Sequence, residues 1–239
     1  MTYFWRMKKM IIASTSTIYG GKYLEYLLPT LKSFFKEAKT ILFIPYARPS
    51  GITYDTYTAI AKEAFGSIGI DVKGIHEFKN AKEAIKNAEG IFTGGGNTFE
   101  LVNQLYKNDV LETLKEVLEQ GTPYLGTSAG SNICGVNMKN TNDMPIVYPP
   151  SFKTLGCIAF NINAHYLDPI EGNTHMGETR ETRIKEFHVF NETPVLGLRE
   201  GSWLEVNGNN ISLKGNYTAR LFEKDKKPVE LELGKIAII

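Results

Sequence analysis

The chain has 239 residues, of which 42% are hydrophobic, 11% aromatic and 22% charged; this supplies apolar side chain for a sizeable core and excludes global disorder. Lys plus Arg number 27 against 26 Asp plus Glu, a formal charge of +1, so no excess field exists to hold nucleic-acid phosphates or an anionic lipid surface. Partners are expected to be small molecules or proteins, with no nucleic acid and no membrane.

The N-terminus carries Arg6, Lys8 and Lys9 before the short apolar run Met10–Ala13, which is too brief for a signal sequence and ends in Ser14-Thr15-Ser16. The first strand is expected to begin near Lys8. No stretch approaches the ~20 apolar residues that cross a bilayer. Cys134 and Cys157 are the only cysteines; they cannot build a disulfide framework and lack the spacing of a zinc site, so a reducing, cytoplasmic location is expected.

Apolar runs rich in β-branched residues follow one another at Met10–Ala13, Ile41–Ile44, Ile70–Ile75, Gly90–Thr93, Pro123–Gly126 and Ala159–Asn163. Each reads as a strand buried on both faces. Between them, helical periodicity is found over Tyr23–Lys36, Tyr54–Ser67, Ala81–Asn87, Phe99–Tyr106 and Val110–Gln120, as in the stripe Leu24, Leu27, Leu28, Leu31, Phe34, Phe35. The alternation predicts an α/β fold: a doubly wound, mostly parallel sheet with helices on both faces. After about residue 194 the pattern changes to short strands at Val195–Leu198, Trp203–Val206, Ile211–Leu213, Thr218–Phe222 and Val229–Leu233, joined by turn clusters at 207–210 and 214–216. Antiparallel strands near the C-terminus should therefore finish the same domain, since no linker separates them.

The segment Pro123 to Asn132 runs from a short strand into Gly126-Thr127-Ser128-Ala129-Gly130, a G-x-S-x-G motif. Small residues on both flanks let the chain turn sharply, which would stand Ser128 at the carboxyl edge of the sheet, where open α/β sheets place their ligands. The Ala129 N–H would then face a developing oxyanion. An ordinary strand-to-helix turn also satisfies this motif. A second loop, Gly94-Gly95-Gly96-Asn97, brings backbone N–H groups close to a ligand and could supply another oxyanion donor. A tight turn capped by Asn97 accounts for it equally well, and the phosphate-loop lysine is missing.

A serine hydroxyl needs a neighbouring base, and the chain has four histidines. His165 closes the strand ending Asn161-Ile162-Asn163-Ala164 and leads His76, which follows the Ile70 strand in a similar way. His175 lies in a Gly/Asn loop, and His188 sits in a helical pattern where a surface or packing role is expected. The orienting carboxylate could be Glu200, before a glycine turn, or Asp143, in a loop whose simpler role is an Asx turn; spacing does not decide. Gly177 to Ile184 reads as a helix start whose charges a solvated face explains, although Arg180 could hold a carboxylate by a bidentate pair.

Taken in order, GGGNT at 94–98, GTSAGSN at 126–132, TNDMP at 141–145, INAH at 162–165, GETRETRI at 177–184 and REGSW at 199–203 resemble the peptidase E family. These are aspartyl dipeptidases among the serine peptidases, related to cyanophycinase and built on the fold of class I glutamine amidotransferases. The resemblance spans about residues 10 to 215. It implies a single catalytic domain over 1–239 that removes N-terminal aspartate from Asp-Xaa dipeptides without metal or cofactor, acting as a monomer or homodimer. By motif, Ser128 would be the nucleophile, His165 the base and Glu200 or Asp143 the acid. The Gly96 and Ala129 amides would form the oxyanion hole, and Arg180 would pair with the substrate aspartyl carboxylate.

Two segments depart from the family pattern: the stretch between His165 and Arg180 is slightly longer, and residues 1–9 have no counterpart, as an upstream start or disordered arm would. The alternatives are a cyanophycinase-like or isoaspartyl peptidase, and a non-enzymatic small-molecule binding module on the same fold.

Overall fold

The computed structural model describes residues 7–169 and 177–238. Its elements run β1 (Lys9–Ala13), α1 (Leu28–Phe34), β2 (Thr40–Ile44), α2 (Tyr54–Gly66), β3 (Asp71–Gly74), α3 (Ala81–Lys86), β4 (Ile91–Thr93), α4 (Thr98–Lys107), α5 (Leu111–Glu119), β5 (Tyr124–Thr127) and α6 (Ala129–Asn132). They continue with β6 (Asn161–Ala164), α7 (Arg180–Phe190), β7 (Val195–Leu198), β8 (Ser202–Asn207), β9 (Asn210–Gly215), β10 (Ala219–Phe222), β11 (Val229–Leu231) and β12 (Gly234–Ile236).

Along β1 the side chains alternate between two cores. Met10 and Ile12 enter one, and Ile11 and Ala13 enter the other. This period-2 division is what a strand covered on both faces requires. β1 lies in an eight-stranded sheet of order β12-β9-β8-β1-β5-β4-β2-β3. From β1 to β3 the pairs are parallel, and on the other side of β1 the strands β8, β9 and β12 are antiparallel. α1 and α2 cover one face through Leu31, Tyr57, Ala61 and Phe65, while α3, α4 and α5 cover the other through Ile85, Leu101 and Leu114. Side-chain caps mark several helix starts: Thr53 accepts from the Thr56 N–H, Asn80 from Glu83 and Asn97 from Glu100.

The structure differs from the sequence expectation in three places. The helix expected from Tyr23 begins at Leu28, with Leu24 at φ 58° before it. Pro29 lacks an N–H and fits only the first turn, so a helix running through it from Tyr23 would lose a hydrogen bond and clash. The apolar stripe is nevertheless buried, with Leu24, Leu27 and Leu31 all fully inaccessible. Secondly, β6 does not join the large sheet: it pairs in parallel with β7 in a second, four-stranded sheet of order β11-β10-β7-β6. One face of that sheet contributes Ile162, Leu196, Leu198 and Leu221 to the core shared with the large sheet. On its other face α7 packs through Ile184 and Phe187 against Tyr166, Val195 and Phe222. Thirdly, β12 extends the large sheet beside β9, where no strand was expected.

Of the expected N-terminal arm, Lys9 opens β1, the Lys8 carbonyl accepts from the Gly208 N–H at 2.8 Å and the Lys8 Nζ donates to the Cys157 carbonyl at 2.7 Å. Residues 1–6 lie outside the described residues. So do residues 170–176, which contain His175 and most of the longer stretch before Arg180. Among the described residues no helix is long and apolar enough to cross a membrane.

Candidate active site

β1, β5 and β4 are neighbours in the parallel part of the large sheet, so the segments that follow them emerge at one edge. Ser128 directly follows β5 and precedes α6, at φ 53° and ψ −111°. A non-glycine residue there is strained by about 1–3 kcal/mol, so its surroundings must over-determine it. They do so through close backbone packing. A Cβ on Gly130 would stand 2.2 Å from the Thr93 carbonyl oxygen, so only glycine lets α6 press onto the end of β4. The Ser128 N–H donates to the Ala13 carbonyl at 3.2 Å, and the Ser131 Oγ lies 2.7 and 2.8 Å from the carbonyl oxygens of Ala13 and Gly126.

The glycine loop after β4 lies against this elbow. A Cβ on Gly95 would be 2.9 Å from the Ser128 Cβ, and one on Gly96 would overlap the Ala47 carbonyl oxygen at 2.1 Å; Gly96 also has φ 144°. The loop is held from outside by the Tyr57 hydroxyl, which donates to the Gly95 carbonyl at 3.1 Å, and by the Asn97 N–H, which donates to the Ala47 carbonyl at 2.7 Å. Among the described residues neither the Gly96 nor the Ala129 N–H has a backbone acceptor. Both are thus available to a negatively charged oxygen beside Ser128. α6 is one turn long, so these are individual donors rather than the end of a large helix dipole.

His165 follows β6 at φ 54°. Its Nε2 lies 2.8 Å from the Ser128 Oγ and its Nδ1 2.5 Å from the Glu200 Oε1. A carboxylate can only accept, so Nδ1 carries the hydrogen in this pair; Nε2 is then free to accept from the serine hydroxyl. Glu200 occupies the turn between β7 and β8, before Gly201 at φ 83°. Both side chains are partly open, at 37% for His165 and 45% for Glu200.

Residues that the sequence did not single out hold this arrangement. Ser14, fully buried just after β1, accepts from the His165 N–H at 2.9 Å while its hydroxyl donates to the Leu198 carbonyl at 2.6 Å. It therefore ties the large sheet to the ends of both β6 and β7. Tyr26 donates to the Thr15 carbonyl at 2.6 Å. Burial and then the nearby Glu200 carboxylate push its phenol pKa up, with the Thr15 hydrogen bond opposing. In β6, buried Asn163 donates to the Asn140 carbonyl at 3.0 Å and accepts from Asn142 at 3.1 Å. The only sequence signal for these was their place at strand ends or their polarity inside an apolar run.

The remaining candidates lie elsewhere. The Asp143 Oδ2 accepts from the Thr98 N–H at 2.8 Å and from the Thr141 hydroxyl at 3.0 Å. It therefore serves the first turn of α4 and is not the carboxylate beside His165. Arg180 opens α7, where Thr179 caps the helix by accepting from the Thr182 N–H. Burial and then the Arg183 charge hold the Arg180 pKa below its ordinary value, while the field of Asp143 opposes them. Among the described residues Arg180 has no ion-pair partner. His76 pairs with the Asp55 carboxylate at 2.9 Å and His188 with the Thr193 carbonyl at 3.1 Å, neither at the elbow. No group of three or more His, Cys, Asp or Glu is placed to hold a metal ion among the described residues.

A hydroxyl, an imidazole and a carboxylate in one hydrogen-bonded chain, flanked by free amides, are the parts of an acyl-transfer centre. Comparison with known proteins leads to the same class. The model of peptidase family S51 matches residues 10–214. "Peptidase E" of Streptomyces coelicolor is 46% identical over 225 residues, covering 94% of this chain and 91% of that protein. "Probable alpha-aspartyl dipeptidase" of Drosophila melanogaster is 43% identical over 227 residues, covering 94% and 93%. Among solved structures, a peptidase from an acI-B1 Actinobacterium superposes with a TM-score of 0.72 over 98% of this chain and 99% of that one; at 15% identity it shows the fold alone. The chain belongs to peptidase family S51 and is a serine peptidase.

Proposed function

We propose that the chain is an α-aspartyl dipeptidase in which Ser128 is the nucleophile, His165 the general base and Glu200 the orienting acid. The observation that carries this reading is the hydrogen-bonded chain Glu200–His165–Ser128 at a strained elbow. Ser128 attacks the aspartyl carbonyl carbon as His165 Nε2 takes its proton, and Glu200 stabilises the imidazolium through Nδ1. The oxyanion of the tetrahedral intermediate is held by the Gly96 and Ala129 amides. His165 then protonates the departing amine, leaving an aspartyl ester on Ser128, and a water activated by the same imidazole hydrolyses that ester.

Arg180 pairs with the side-chain carboxylate of the substrate. The support for this role is a half-buried guanidinium without an ion-pair partner among the described residues; such a cation gains most from an incoming anion. The substrate class follows the names of the relatives together with this cation. The whole chain works as one catalytic unit, as the core shared by both sheets supports. A cytoplasmic setting is in keeping with Cys134 and Cys157, both buried free thiols; burial raises the pKa of Cys134 well above its usual value and that of Cys157 to about 11.

The test is hydrolysis of Asp-Leu beside Asn-Leu, Glu-Leu and isoAsp-Leu. Asp-Leu should be cut, and Ser128→Ala should lose at least ~10⁴-fold in kcat. Arg180→Met should lose about 100-fold in kcat/KM for Asp-Leu and the preference for Asp over Asn, as removal of a desolvated charge partner does. Cleavage of isoAsp-Leu in place of Asp-Leu would instead assign an isoaspartyl peptidase. A Ser128→Ala protein that still cleaves Asp-Leu would refute the nucleophile.

A further inference from the structure

His165 and Glu200 stand at the ends of two strands whose ladder stops just short of them. β6 and β7 pair through Ala164 and Leu198, and beyond that register the Tyr166 N–H reaches back to the Leu198 carbonyl at 3.2 Å. Past this point the two segments are joined by an ion pair. Asp168, three residues after His165, receives two parallel hydrogen bonds from Arg199, the residue before Glu200: Nε to Oδ2 at 2.8 Å and NH2 to Oδ1 at 2.7 Å. The fork-on-carboxylate geometry fixes orientation as well as distance. The guanidinium is itself immobilised, at 16% exposure. Its NH1 donates to the Thr218 carbonyl at 2.8 Å and hydroxyl at 3.0 Å and to the Glu230 carboxylate. Its Cζ lies over the Tyr166 ring, 5.6 Å from the ring centre.

We propose that the Asp168–Arg199 pair is a clamp that sets the separation of His165 and Glu200, making Asp168 and Arg199 positioning residues for catalysis. The inference rests on the reading of Ser128, His165 and Glu200 as the acyl-transfer chain. The physical need is plain: both catalytic side chains are partly solvent-exposed, and neither is enclosed by a packed core that would fix it. A displacement of about 1 Å in such a pair costs up to ~100-fold in rate. Other charged groups close to the clamp are Arg220, 3.7 Å from Asp168, and Glu181, 3.6 Å from Arg220. They lie on β10 and α7, away from the His165–Glu200 hydrogen bond.

A purely structural role for Arg199 makes a different prediction, because the same guanidinium also holds Glu230 on β11. Wild type, Asp168→Ala, Asp168→Asn, Asp168→Glu and Glu230→Gln should be compared by Asp-Leu kinetics, thermal melting and the low-field proton NMR signal of the His165 Nδ1–H. The clamp predicts that Asp168→Ala loses about 10- to 100-fold in kcat with KM within about twofold, and that the Nδ1–H signal shifts or broadens. Asp168→Asn, which keeps one acceptor, should fall between, and Asp168→Glu should recover most of the rate. Glu230→Gln should lower the melting temperature yet keep kcat within about threefold.

The clamp is overturned if Asp168→Ala melts earlier while kcat and the proton signal stay as in wild type, if its loss lies in KM, or if Glu230→Gln loses as much kcat. Failure of the underlying reading looks different: wild type then cleaves no dipeptide or Ser128→Ala remains active. In that case the Nδ1–H signal, which needs no turnover, still decides whether Asp168 sets the His165–Glu200 geometry.

Discussion

The two halves of the active site are built by different physics. On the large-sheet side, Ser128 is set by backbone sterics: fully buried neighbours, glycines at Gly95, Gly96 and Gly130 where a Cβ would collide, and carbonyl acceptors within the sheet. On the small-sheet side, the segments that carry His165 and Glu200 are met by side chains: the Ser14 hydroxyl accepts from the His165 N–H, and Arg199, next to Glu200, pairs with Asp168. Close-packed backbone has no alternative arrangement of similar energy, whereas polar side-chain contacts can be loosened one at a time. Substitutions in the backbone packing around Ser128 should therefore be read in folding stability, and substitutions in the polar contacts around His165 and Glu200 in graded loss of rate.

The largest effect is expected at Glu200. Glu200→Gln is expected to cost about 10³- to 10⁴-fold in kcat, since an amide favours the wrong imidazole tautomer. Asp143→Asn should chiefly raise KM, through the altered field at Arg180, and cost about 1 kcal/mol of stability at the start of α4. Equal kcat losses in the two variants would break the assignment of Glu200 as sole orienter. Next in size is Gly130→Ala, expected to destabilise by about 3 kcal/mol because its Cβ meets backbone that cannot yield. Thermal or urea unfolding reads this directly, and a variant as stable as wild type would contradict the steric account.

Ser14→Ala should cost about 1–2 kcal/mol, leaving the partly buried His165 N–H and the Leu198 carbonyl without their partner, together with about tenfold in kcat from a loosened imidazole. A stability loss with unchanged kcat would leave all catalytic positioning to the ion pair. Ser128→Gly should abolish turnover and yet stabilise the fold by about 1 kcal/mol, since glycine adopts a positive φ at little cost. A lower melting temperature would show that the elbow is not strained.

The smallest effect is in the pH dependence of stability. Arg199 holds the Asp168 carboxyl below the usual carboxylate range against the opposing effect of burial. For Glu230, burial pushes upward, but its hydrogen bonds from Arg199 and Thr218 prevail, so its pKa is also lowered. A depressed folded-state pKa stabilises above the unfolded value of about 4, and this stabilisation is lost as pH falls through that value toward the folded one. The melting-temperature difference between wild type and Asp168→Asn should thus be present at pH 7 and shrink near pH 3. Asp168 is 46% exposed, so the difference should stay under about 1 kcal/mol. A difference that grows on acidification would reverse the assigned sign.

The legibility of the fold in the sequence follows the same division. Gly126-Thr127-Ser128-Ala129-Gly130 announced a sharp turn because only glycine tolerates that packing, and the unbroken apolar run Met10, Ile11, Ile12 and Ala13 announced a strand covered on both faces. The Ile211 and Trp203 runs with the turn at 207–210 appeared as the β8–β9 hairpin. By contrast, the strand expected at Ala159–Asn163 reads the same whether it pairs with β5 or with β7, since periodicity records burial and not partners. Asp143 and Glu200 were indistinguishable because each is a carboxylate in a turn. Ser14 carried only its place after the first apolar run, as one hydroxyl in a run of hydroxyls.

The sequence by itself determined the alternating α/β architecture, the sharp turn at Ser128 and the peptidase family, because these depend on local sterics, on period and on ordered motifs. Only the tertiary structure decided that β6 and β7 form a second sheet, that Glu200 and not Asp143 faces His165, and that Ser14 meets the ends of both β6 and β7 while Arg199 pairs with Asp168. Those are contacts between residues up to 184 positions apart, and such pairing arises from how packed layers meet rather than from any property of the segments themselves.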